Sequence, residues 1–220
     1  MSLDRWGAGA LILGSIASIT LMAVHPSHIG PPVLGHLSLS ALVHGAALFI
    51  NPILAFGFVT LAVRLGLDRP LPVLGLVFYL FSAVIAMLAG TMSGLVMPEI
   101  VDAMHDPPRR LAAAASDPET RSMLLQTLAT YTVWLNRSFA QVYVALFSIA
   151  MILWSIAWPA RAFADGIVRI LGFALGLGVL AWQLSGHLTM GAQHGALVVT
   201  LAHSLWTMLA ASLLLRARER

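Results

Sequence analysis

The stretch LPVLGLVFYLFSAVIAMLAGTMSGLVM, residues 71–97, runs from end to end without a charged side chain. At about 1.5 Å of rise per residue, a helix over it exceeds the roughly 30 Å hydrocarbon core of a bilayer. It is apolar on every face, so no single stripe can be hidden against a soluble core. Five further apolar runs flank it, at 6–24, 34–63, 131–158, 167–184 and 195–215, with only Arg137 and Arg169 charged among them. Each is long enough to span. The sequence therefore predicts an all-α, polytopic membrane helix bundle of six transmembrane helices.

Composition agrees with that reading. Hydrophobic residues make up 59% of the 220-residue chain and charged residues only 10%, with a mean hydropathy of +0.89. Soluble domains carry about a quarter charged residues. Once six spans are placed, no length remains for a separate soluble unit, so residues 1–220 form a single transmembrane domain. The run at 6–24 is expected to be a retained helix rather than a cleaved leader, because no small-x-small cleavage pattern precedes His25. The absence of cysteine excludes disulfides, iron–sulfur clusters and thiolate chemistry. The net charge of +3 rests on 12 arginines with no lysine. It gives no reason to expect nucleic acid, and the partner expected first is the lipid bilayer.

The breaks between runs carry loop punctuation: His25-Pro26 to Pro31-Pro32, Asp68-Arg69-Pro70, an outer loop at 98–122, Pro159-Ala160-Arg161, and Gly186 to His194. Arginines near span ends mark the cytoplasmic side. Arg5, Arg64, Arg69, Arg161, Arg169, Arg216, Arg218 and Arg220 share one side, against Arg109, Arg110, Arg121 and Arg137 on the other. The expected orientation is N-in, C-in, in a bacterial inner (cytoplasmic) membrane. Arg137 then lies near the outer hydrocarbon boundary, either snorkelling or paired with Glu99 or Asp102. Asn51-Pro52 places an amide and a missing backbone donor in the middle of the second span. Small residues at four-residue spacing, such as Gly14 and Ser18, Ala86, Gly90 and Gly94, or Gly172 and Gly176, allow close helix contact.

All eight histidines fall on the outer side of this topology: His25, His28, His36, His44, His105, His187, His194 and His203. Neutral imidazole is the commonest side-chain metal ligand, and paired imidazoles from facing helices hold haem iron. His44 and His203 are the deepest and form the candidate cofactor pair, for haem b. The more superficial His25, His28, His36, His187 and His194 form a candidate copper or zinc site. Met22, Met92, Met97, Met104 and Met190 near that side would suit copper(I). Asn51, Glu99 and Arg137 are further polar candidates. No phosphate loop, dinucleotide fingerprint, nucleophile elbow or HExxH occurs. No catalytic residue is assigned, and whether a reaction is catalysed stays open.

The His25-Pro26 pair, the stretch Trp134-Leu135-Asn136-Arg137-Ser138-Phe139-Ala140-Gln141-Val142-Tyr143, and Ser185-Gly186-His187-Leu188 followed by His194-Gly195 resemble uncharacterised bacterial six-span integral membrane proteins. The resemblance implies neither an activity nor a site. The function expected from the residues is a haem- or transition-metal-binding membrane protein in a redox or metal-handling role. The alternatives are a small-solute transporter or channel, and a structural subunit of a larger membrane complex or homo-oligomer.

Overall fold

The computed structural model describes residues 2–26, 32–34, 37–105, 117–188 and 193–216, without the side chains of 32–34, 37, 105, 193 and 194. Helix α1, Leu3–Ala23, carries Asp4 in its first turn, where a carboxylate complements the helix dipole. A minimal antiparallel ladder follows, β1 Pro32–Leu34 with β2 Leu37–Ser38. Helix α2, Leu39–Leu65, begins where the Ser38 side chain accepts from Ala41 N at 3.2 Å. The apolar run reaches back to Leu34, yet the helix starts only at Leu39, because the ladder claims the backbone before it. Helix α2 continues unbroken through Pro52 and stops at Gly66, whose φ of +103° suits a residue without Cβ.

Helix α3, Pro70–Thr91, opens with proline in its first turn, where no backbone donor is needed. A π-helical turn, Met92–Val96, leads without a break into α4, Met97–His105. The third span thus does not end at Met97, and the segment after it stays helical to His105. Pro98 lacks the donor that would bond the Gly94 carbonyl, and a wider turn lets the chain pass it. Within that turn Met97 N–H donates to Met92 O, five residues back.

Helix α5, Pro118–Ala157, is 40 residues long, starting well before the apolar run at Tyr131. Asp117 caps it, accepting from Thr120 N at 2.8 Å and Thr120 Oγ1 at 2.7 Å. These bonds hold the exposed Asp117 carboxyl below the usual carboxylate range. Helix α6, Phe163–Leu184, and α7, Gln193–Arg216, complete the chain. Among the described residues, six helical segments are long and apolar enough to cross a membrane, with α3 and α4 counting as one.

Sequential spans pack side by side, and α1 also packs on α7, so the bundle closes into a ring. One core joins all six spans at the end holding the start of α1 and the end of α7: Ala8, Leu61, Leu65, Trp158, Val168 and Leu214 belong to it. In lipid there is little hydrophobic drive between helices, so contact depends on close packing and hydrogen bonds. Glycines permit that closeness. A Cβ on Gly57 would lie 3.0 Å from Gly7 O, and one on Gly172 would strike Ser155 and Trp206. Indoles bridge neighbouring helices, Trp154 Nε1 donating to Pro72 O (3.2 Å) and Trp206 Nε1 to Val168 O (3.1 Å). Phe58, Trp154 and Trp206 stack in parallel, with centroid separations of 5.0 and 6.1 Å.

Candidate functional site: a paired imidazole on an intramembrane cavity

Toward the other end of the bundle the helices part around a cavity of about 470 Å³. Its wall takes Ser18 and Met22 from α1 and His44, Asn51 and Leu54 from α2. Ala89 and Ser93 come from the third span, Asn136, Arg137 and Tyr143 from α5, and Val199 and Thr200 from α7. The volume lies within the roughly 300–1,000 Å³ of small-molecule sites.

Two imidazoles meet on this wall. The chain leaves α1 at Val24, and His25 folds over the second turn of α2. Its Nε2 lies 3.2 Å from Nε2 of His44, with the rings edge to face at a centroid distance of 4.8 Å. His44 Nδ1 donates to Ser40 O, one turn back, at 2.7 Å. A carbonyl only accepts, so the proton of the neutral ring sits on Nδ1 and the Nε2 lone pair faces His25. Ser40 Oγ, 3.3 Å from the same Nδ1, donates to Ser93 O in the π-helical turn at 3.4 Å. Gly94 of that turn abuts the His44 Cβ. A backbone carbonyl that orients an imidazole is the usual support of a metal-ligating histidine. Burial pushes the His25 imidazole below its ordinary value, against a smaller opposing effect of its bond to the Pro26 backbone. His25 is therefore neutral at pH 7 and able to act as a ligand.

His203 sits elsewhere. It is 2% exposed and borders a small cavity of about 30 Å³ with Ser15, Ser204 and Thr207. Ser18, Leu54, Tyr143 and Thr200 line both cavities. His203 Nε2 is 3.1 Å from Ser148 Oγ, its ring packs 4.3 Å from Phe147, and its Nδ1 has no hydrogen-bond partner among the described residues. No hydrogen bond or ring contact joins it to His44 among the described residues. Farther along the same helices, the stacked Phe58, Trp154 and Trp206 fill the bundle toward its opposite end.

The remaining candidates are dispersed. His187 is exposed, its Nδ1 2.9 Å from Ser185 Oγ. His28 and His36, and the side chain of His194, lie outside the described residues. Asn51 turns back on its own helix, Nδ2 donating to Ala47 O at 3.0 Å. Glu99 is exposed on α4, and Arg137 makes no ion pair with it or with Asp102 among the described residues. No group of three or more histidine, aspartate or glutamate side chains converges among the described residues. Met22 and Met97 line the same cavity as His25 and His44. Ser40 and Ser93 carry no signal in the sequence, although Ser40 and His44 stand one helical turn apart. Comparison with protein-family models, with curated proteins and with solved structures finds no match to this chain.

Proposed function

We propose that this multi-pass membrane protein binds a transition-metal ion, copper(I) above zinc, between His25 and His44, and holds or passes it on at the outer face of a bacterial cytoplasmic membrane. The observation behind the reading is the 3.2 Å between the two Nε2 atoms. Metal–imidazole bonds of about 2.0 Å at a tetrahedral angle put two ligand nitrogens about 3.3 Å apart. His44 already offers an unprotonated Nε2, and binding asks only that neutral His25 carry its proton on Nδ1, leaving its own Nε2 free to ligate. Met22 or Met97 would supply a soft thioether, which favours copper(I) over zinc. A haem between His44 and His203 is less well supported, because His203 is engaged by Ser148 and borders the other cavity.

The test is elemental analysis and X-ray absorption on protein purified in detergent and reconstituted with copper(I) or zinc. One copper per chain, with nitrogen and sulfur scatterers, is expected in the wild type. His25→Ala and His44→Ala should each abolish it, and His187→Ala should not. Wild-type protein that takes up no copper would end this reading.

A further inference from the structure

Arg137 is the one charged group on the cavity wall among the described residues. Among the described residues no aspartate or glutamate lines that wall, and every other polar group on it is an imidazole, amide or hydroxyl. Among the described residues no carboxylate pairs with Arg137. A guanidinium stays protonated in any protein environment. Arg137 is itself exposed, and beside the largely apolar cavity surface its charge makes that side of the space electropositive, with no carboxylate facing it among the described residues. Asn136 stands next to it on the wall, and Leu21, Ile50 and Leu54 give the wall apolar surface.

We propose that the cavity binds an organic anion with a hydrocarbon body, its carboxylate or phosphate held by Arg137 and Asn136 and its chain lying against Leu21, Ile50 and Leu54. Arginine suits such a head because its planar fork meets a carboxylate or phosphate with two parallel hydrogen bonds. The volume matches a small-molecule ligand rather than a single ion or water. The site does not depend on a metal at His25 and His44.

Thermal unfolding of the full chain in phosphatidylcholine nanodiscs, with a chelator present throughout, tests this. The probes are decanoate, decyl phosphate, decanol, decyltrimethylammonium and acetate. Decanoate and decyl phosphate are expected to stabilise the protein with about tenfold higher affinity than decanol, the scale of one charge-assisted hydrogen bond. Arg137→Gln should bring decanoate down to the level of decanol and leave decanol unchanged, while Arg137→Lys should keep a preference for the anion. Ala140→Phe, which fills the cavity, should weaken all the decyl probes. Three results would overturn the proposal: equal affinity for decanoate, decanol and the ammonium; an anion preference that survives Arg137→Gln; or acetate binding as tightly as decanoate.

Discussion

The α-carbon of Gly94 rests so close to the Cβ of His44 that a methyl group at position 94 would overlap it. Gly94 belongs to the π-helical turn, and His44 to the second turn of α2. The ring that faces His25 is therefore positioned from behind by a residue with no side chain. Gly94→Ala should destabilise the protein by about 1–3 kcal/mol through overpacking. It should also move His44 off His25, and so cost copper uptake. Gly90→Ala is the control, because a Cβ there meets nothing nearer than Leu48 Cδ2 at 3.6 Å. Unfolding midpoints and copper stoichiometry measured on both variants check the contrast.

Protonation of His25 couples to stability. Burial lowers its folded pKa, and the unfolded chain titrates near the ordinary imidazole value of about 6.5. Between those two values the unfolded chain binds a proton that the folded chain does not. The contribution of neutral His25 is thus complete above about pH 6.5 and is lost as pH falls through the folded pKa. A melting series from pH 8 to 5 should show the wild type losing stability on acidification more steeply than His25→Gln. Parallel curves would show that His25 does not titrate differently in the two states.

His203 is packed as a core residue, against Phe147 and Ser148. His203→Ala should cost about 2–4 kcal/mol, mostly from the void it opens. Its coupling to Ser148 in a double-mutant cycle should be smaller, about 0.6 kcal/mol, as for other side-chain bonds within membranes. Reversible unfolding in mixed micelles would give both numbers. A coupling several times larger would mark the Ser148 hydroxyl as the dominant restraint on the ring.

Asp165 organises the turn between α5 and α6. Its carboxylate accepts from Ala162 N (2.8 Å), Arg161 N (3.0 Å) and Trp158 Nε1 (3.2 Å). Asp165→Ala should therefore cost about 1–2 kcal/mol, in the range of a lost helix cap. The released Trp158 indole should also change the fluorescence maximum, which a steady-state spectrum would detect.

The six apolar runs were legible because lipid leaves backbone polar groups no partner outside the helix, which makes long uncharged stretches diagnostic. The boundary at Pro70 was legible too, whereas the starts capped by Ser38 and Asp117 were not, because hydropathy alone placed them at Leu34 and Tyr131. The π-helical turn was not. It arises from Pro98 acting together with the seat that Gly94 provides for His44, and the second of these is a tertiary contact. The histidine pair was hidden for the same reason. Depth along the helices suggested His44 with His203, but partners follow from which faces meet, and rotation about α7 turns His203 toward Ser148 on α5. Arg137 was visible as a boundary cation, whereas the carboxylate-free wall around it depends on five spans converging.

The contact between α1 and α7 has a consequence for biogenesis. Domains begin to organise while the chain is still being made, yet here α1 waits for α7, which is made after it. Until α7 emerges from the ribosome and inserts, the face of α1 that will pack on it is open to lipid. Ala196, Val199 and Thr200 are also missing from the cavity wall until then. A nascent chain arrested after α6 would hold both imidazoles of the His25–His44 pair, but not the chamber they face.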